Sequence, residues 1–175
     1  AGKALKSYLW VRDSATATGF VQKGSWLVDA TGPVTPAVTD DGAVTVLAST
    51  LHARWSSQDP ETGIAEYQYQ IRKDSVSGPV IVAWTTAGTA TEVTRSGLSL
   101  AHGAAYYFQV KARNGVSLWS VVGNSDGIVV DLNAPSIHGV APPDGTTYTE
   151  GEAVPIQVVA TDADGDSLQY QFLID

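Results

Sequence analysis

From Tyr106 to Asn114 the chain alternates: Tyr106, Phe108, Val110 and Ala112 are interleaved with Tyr107, Gln109, Lys111 and Arg113. A period of two puts the first set on one face of a strand and the second on the other. The same phase runs through Tyr67, Tyr69 and Ile71 against Glu66, Gln68 and Gln70, and through Leu51, Ala53 and Trp55 against His52 and Arg54. In each run the apolar set is expected inside and the polar set in water. Val80–Trp84 is a continuous apolar run without phase. Turn residues punctuate the runs at Thr39–Gly42, Asp59–Gly63, Asp74–Pro79, Ala101–Gly103 and Asn114–Gly115. No stretch long enough for a helix carries a helical stripe. Short strands at regular spacing with such turns predict an antiparallel all-β sandwich or barrel.

An internal repeat divides the chain. Val28-Asp29-Ala30-Thr31-Gly32-Pro33 returns 102 residues later as Val130-Asp131-Leu132-Asn133-Ala134-Pro135. Tyr67–Ile71 returns 103 residues later as Tyr170–Ile174, and Asp59 meets Asp162 at the same offset. Patterns kept in step at that distance mark a unit of one sandwich domain. The Val-Asp-x-x-x-Pro strings read as linkers, because Pro cannot continue a strand ladder. Residues 30–133 are then a complete domain. Residues 1–29 supply the last strands of a preceding repeat, near Tyr8–Asp13 and Gly24–Asp29. Residues 134–175 supply the first strands of a following one, near Glu152–Thr161 and Leu168–Asp175.

The middle unit resembles a fibronectin type III domain. Tyr106-x-Phe108-x-Val110-x-Ala112-x-Asn114 matches that family's Tyr-x-apolar-x-Val-x-Ala-x-Asn string. Leu100 fits its preceding leucine, Trp55 its second-strand tryptophan, and Gly115, Ser117 and Ser120 its Gly-x-Ser-x-x-Ser continuation. The resemblance implies an immunoglobulin-like sandwich of seven strands. Trp55 would lie between the sheets, and the Tyr106 hydroxyl would bond backbone near Leu100 as a tyrosine corner. The last segment lacks the second-strand tryptophan. Its Glu152–Asp166 stretch is similar to bacterial cadherin-like or immunoglobulin-like repeats, which makes the array a mixed one.

Composition narrows the partners. Hydrophobic residues reach 43%, enough for a core, and charged residues only 16%, with a net charge of −8. That sign opposes phosphate backbones, so nucleic acid is excluded as a partner. There is no Cys, hence no disulfide, thiolate nucleophile or Cys-based zinc site. No apolar run approaches the ~20 residues of a membrane span. The lack of Met, with Ala1 in first place, suggests a piece of something longer.

The acidic turns carry the candidate chemistry. Asp162, Asp164 and Asp166 alternate beside Gly165, and carboxylates so arranged can supply the oxygen ligands of calcium. The EF-hand pattern fails, since its sixth and twelfth positions fall on Ser167 and Leu173. The cadherin-like resemblance implies instead a linker Asp-x-Asn acting with an Asp-x-Asp about thirty residues on. Asp131 and Asn133 stand there, giving Asp131, Asn133, Asp162, Asp164 and Asp166 as a calcium set. Asp29, Asp59 and Glu61 form a fainter counterpart. Both sets also suit ordinary turns, which favour Asp and Gly. His52, His102 and His138 have neither a neighbouring nucleophile nor metal-ligand spacing, so no catalytic residue is assigned and no enzyme is expected.

Three roles fit. The first is a structural spacer or adhesion scaffold in an extracellular, secreted or cell-surface repeat protein, such as a stalk or fibre. The second is a carbohydrate- or protein-binding adhesin module, which would show exposed aromatics, with Trp84, Tyr107 and Trp119 the ones to check. The third is an accessory region of a secreted enzyme. The expected partners are neighbouring repeats. A head-to-tail homo-oligomer or filament is a further expectation, one chain's early strands completing the next chain's late ones by strand addition.

Overall fold

The structure is a computed structural model and describes residues 3–173 apart from 14 and 17. It divides into two compact units, Ala1–Val130 and Asp131–Asp175. The first begins with a hairpin of β1 (Lys3–Leu9) and β2 (Val21–Val28), which pair with each other. The first strand ends at Leu9 rather than running on to Asp13. Beyond it the Asp13 carboxylate accepts from Ala15 and Thr16 backbone N–H groups and folds the chain into a turn.

Nine short strands follow in the first unit: β3 (Ala37–Asp40), β4 (Val44–Thr45), β5 (Leu51–Ser56), β6 (Ile64–Lys73), β7 (Val80–Gly88), β8 (Glu92–Arg95), β9 (Ala105–Asn114), β10 (Gly123–Asn124) and β11 (Ile128–Val130). One sheet is β3-β5-β8, and the other is β4-β11-β9-β6-β7 with β10 also on β9. All pairs are antiparallel except β4 with β11. This is a seven-strand sandwich whose first and last strands are each broken in two. The first break falls at Gly42 (φ 106°), where the Asp40 side chain accepts the Gly42 N–H. The chain thereby passes from one sheet to the other.

The core is the predicted one. Leu51, Ala53 and Trp55 face Tyr67, Tyr69, Ile71, Tyr106, Phe108 and Val110, all buried. Trp55 retains 4% of its surface, and its ring centroid lies 6.0 Å from Tyr67 and 6.2 Å from Tyr69. Its indole N–H donates to Ala90 O at 3.1 Å. Burying a large apolar side chain of this kind stabilises the fold by roughly 2 kcal/mol. The tyrosine corner forms as expected, with Ala101 N–H donating to the Tyr106 hydroxyl oxygen at 2.9 Å.

The outer face of β6 and β9 differs from expectation. Gln70 and Gln109, placed in water by their phase, keep 4% and 8% of their surface. The turn after β6 folds back over them. Gln109 Nε2 donates to Val76 O at 3.0 Å, and Arg72 Nη1 donates to Gly78 O at 2.8 Å.

The second unit contains β12 (Ser136–Ala141) paired antiparallel with β13 (Gln157–Thr161). The first of these was not anticipated, because a bulge at His138 breaks its alternation. Leu168–Leu173, expected as a strand, has no ladder partner among the described residues, so nothing fixes its backbone as one. Ile174 and Asp175 lie outside the described residues.

Candidate functional site

Asp29, Asp59 and Glu61 do come together, with one carboxylate oxygen of each lying within 4.8 Å of the others. Asp29 directly follows β2, and the other two occupy the turn between β5 and β6. In that turn Gly63 N–H donates to Asp59 O at 3.1 Å, closing the loop at Gly63 (φ 70°). Asp59 Oδ1 accepts the Thr62 and Glu61 N–H groups at 2.9 and 3.2 Å. Asp29 Oδ1 accepts Thr31 N–H at 3.0 Å.

The residue that joins the acids is Asn114, at the end of β9 and 1% exposed. Its Nδ2 donates to Asp29 Oδ2 (2.8 Å), Thr31 O (3.0 Å) and Asp59 Oδ2 (3.1 Å). Its Oδ1 accepts the N–H groups of Leu118 (2.8 Å) and Val116 (3.2 Å). The Thr62 hydroxyl donates to Asp29 Oδ2 at 2.6 Å. These donors hold the Asp59 pKa below its ordinary value, the Thr62 N–H contributing most and partial desolvation opposing it. An ionised carboxylate offers about four acceptor positions. Protein donors fill most of those on Asp29 and Asp59, so these two acids form a hydrogen-bonded knot.

The second set lies within the second unit and repeats the backbone design. Asn133 N–H donates to Asp131 Oδ1 at 3.0 Å, as Thr31 does to Asp29. Asp164 N–H donates to Asp162 Oδ1 at 2.9 Å, as Glu61 does to Asp59. Carboxylate oxygens of Asp131 and Asp164 approach within 4.8 Å, and Asn133 Nδ2 donates to both oxygens of Asp164 at 3.1 Å. Gly165 stands where Thr62 stands in the first turn and brings no hydroxyl. The Asp166 pKa is raised, by desolvation first and then by the charges of Asp131 and Asp162 and a hydrogen bond that protonated Asp166 donates to Asp131, with Asp164 adding to it. Four carboxylates and an amide are the hard-oxygen donors that calcium takes, and the like charges here are the kind a divalent ion relieves.

Of the histidines, His52 Nδ1 lies 2.7 Å from Asp41 Oδ1, and His138 Nε2 contacts the Thr161 hydroxyl. Trp84 and Trp119, 36% and 38% exposed, flank Lys111, whose ammonium lies 4.6 and 4.4 Å from their ring centroids. Tyr107 covers Gly127, where an added Cβ would lie 2.4 Å from its ring.

No protein-family model and no curated protein matches the chain. Solved structures similar to it include titin domains A168–A170, at 19% identity over 63% of this chain and 36% of that one (TM-score 0.44). The FN1–FN3 domains of chicken CNTN1 are 17% identical over 63% and 37% (TM-score 0.42). A Fn3-like protein from Clostridium thermocellum is 19% identical over 58% and 91% (TM-score 0.36). The chain spans about a third of the titin and CNTN1 pieces. At these scores the similarities add nothing to the residue-level assignment. The strand order, the inward Trp55 and the bonded Tyr106 corner make the central unit a fibronectin type III-like β-sandwich.

Proposed function

We propose that the chain is a spacer segment of an extracellular tandem β-sandwich protein, with a structural or adhesive role. The observation that carries this reading is the fixation of the chain entering the sandwich. Asp29 and the Thr31 carbonyl are held by Asn114, and Val34 N–H donates to Gln58 O at 3.0 Å. Pro33 and Pro36 are buried. A Cβ on Gly32 would lie 2.5 Å from Trp119 O, so only glycine permits that approach. Such a segment is part of the fold and transmits position, whereas a free tether would not. Limited proteolysis tests it: residues 29–34 should resist cleavage in the native chain and become cleavable in Asn114→Ala. Rapid cutting there in the native chain would count against a spacer.

In the same reading calcium binds Asp131, Asn133, Asp162, Asp164 and Asp166, tying the Val-Asp-x-Asn segment to the acidic turn. Melting temperature in millimolar calcium against chelator is the check. No shift would leave these acids as turn residues.

A second reading is favoured by exposed apolar strands. Tyr8, Leu9 and Trp26 on the β1–β2 hairpin are about half exposed, and Ile137, Val140 and Val159 on the β12–β13 pair are at least half exposed. Tyr170 and Phe172 are exposed too. Head-to-tail strand addition between copies would cover such surfaces and build filaments. Sedimentation that stays monomeric at high concentration would rule it out.

A further inference from the structure

The outer face of the larger sheet contains a cleft that the spacer role does not use. It has a volume of about 520 Å³ and is lined by Gln70 and Arg72 of β6, Val76 and Ser77 of the roofing turn, Trp84, Gln109, Val122 and Asn124. That volume is within the range of ligand clefts. We propose that this cleft binds an acidic saccharide of the uronic-acid class.

The polar lining is fixed in advance. Gln70, Gln109 and Asn124 form a row across β6, β9 and β10, following the register of the sheet. Gln70 Nε2 donates to Gln109 Oε1 at 2.5 Å, and Gln109 Nε2 donates to Asn124 Oδ1 at 2.6 Å. Gln109 is saturated by these bonds and by those to Val76 and Arg72, so it acts as the fixed centre of the row, and the remaining donor and acceptor positions of Gln70 and Asn124 are the ones left for ring hydroxyls.

Arg72 supplies the charge. Its Nε donates to Gln109 Oε1 at 2.8 Å and its Nη1 to Gly78 O at 2.8 Å, which orients the guanidinium. These bonds use two of its five N–H donors. No carboxylate among the described residues pairs with it. The cleft lining contains no acidic residue, although the chain has 18 Asp and Glu against 10 Lys and Arg. A lone, oriented guanidinium in an acid-free cleft on an acidic protein is complementary to a carboxylate, which it can hold bidentately.

Trp84 supplies the apolar wall. It is 36% exposed, and the ammonium of Lys111 lies 4.6 Å from its ring centroid. Lys111 also pairs with no carboxylate among the described residues, so a second cation stands over one face of this ring. An indole with one ammonium over its ring and its remaining surface lining the cleft suits the carbon face of a pyranose that carries negative charge. A neutral sugar would leave Arg72 without its counter-ion, and a purely apolar ligand would strand the amide row.

The test is NMR titration of the whole chain with tetragalacturonate, with maltotetraose and a hexaglutamate peptide as controls. Binding should shift the Trp84 indole N–H and the side-chain amides of Gln109 and Asn124. Arg72→Gln should weaken it by roughly tenfold or more, the loss expected for a charge-assisted pair. Arg72→Lys should fall between, and Trp84→Ala should weaken binding without unfolding the sandwich, as judged by unchanged Tyr106 and Phe108 signals. Three results would each overturn the proposal: no shift at those three side chains, equal shifts with maltotetraose, or undiminished binding by Arg72→Gln. Stronger binding of hexaglutamate than of the uronate would overturn the saccharide assignment in favour of an acidic peptide. Because the readout is local to the β6–β9–β10 face, failure here leaves the spacer reading to be decided by its own proteolysis test.

Discussion

The two acidic turns share a backbone plan, and one acid in each departs from its ordinary pKa. Asp29 and Asp131 each accept an N–H two residues on, and so do Asp59 and Asp162. Yet the Asp59 pKa is lowered and the Asp166 pKa is raised. The Thr62 N–H is the first cause at Asp59, and desolvation is the first at Asp166. The first turn receives the Asn114 amide and the Thr62 hydroxyl. The second has Gly165 in place of the threonine, and its carboxylates press on one another. Carboxylate spacing in a sequence therefore identifies a turn, and the groups brought to it set how its acids titrate.

The largest effect should come from removing the donor that neutralises the first turn. Asn114→Ala strips the Val116 and Leu118 N–H groups of their acceptor and leaves Asp29 and Asp59 without their shared donor. The expected loss is about 3 kcal/mol in chemical denaturation, since unsatisfied buried groups cost more than a single hydrogen bond contributes. Asn114→Asp sharpens the comparison. It should convert the first turn to the second kind, destabilised in chelator and partly recovered by calcium. Native-like stability of Asn114→Ala would show that the knot is incidental.

A smaller effect should come from calcium on the second turn. At a hundredfold excess over its Kd, binding to the folded state alone adds about 2.7 kcal/mol. Amide signals of residues 131–133 and 162–166 should move, while those of residues 29–31 and 59–62 stay in place. Asp166→Asn should be neutral or stabilising in chelator, because it removes a repelled charge, and destabilising in calcium, because it removes a ligand. The same sign in both conditions would break the assignment.

The core was legible because the apolar set of each alternating run, in Leu51–Trp55, Tyr67–Ile71 and Tyr106–Ala112, is buried. The Tyr106 corner was legible because the family string from Tyr106 to Asn114 implies it, and its partner lies five residues away. Asn114 was visible only as the last position of a strand motif. Its role depends on Asp29, 85 residues distant, and on Asp59, 55 residues distant, and local pattern records neither. Gln70 and Gln109 were misplaced for a similar reason, since phase gives the face of a strand and a later turn decides whether water reaches it. The acids of both candidate sites were readable from spacing. The knot at the first site was not, because its donor Asn114 comes from another strand.

The smallest and most specific test is the direction in which each turn responds to acid. Asp59 titrates below its ordinary 3.8 in the folded chain. Its contribution to stability is present above that ordinary value and is lost as pH falls through the depressed one. Asp166 titrates above 3.8. Its folded form holds the proton more tightly than the unfolded chain does, so its contribution is fully present below 3.8 and is lost as pH rises through the raised value. The two groups thus give stability opposite slopes with pH. Carboxyl-carbon NMR can follow each separately, and the midpoints should fall on opposite sides of 3.8. Calcium then separates them further. A divalent ion competes with the proton on Asp166 and should pull its apparent midpoint down, while the Asp59 midpoint, set by Thr62 and Asn114, should not move. Midpoints on the same side of 3.8, or a calcium shift at Asp59 equal to that at Asp166, would mean that the two turns are electrostatically alike and that the donors of the first do not set it apart.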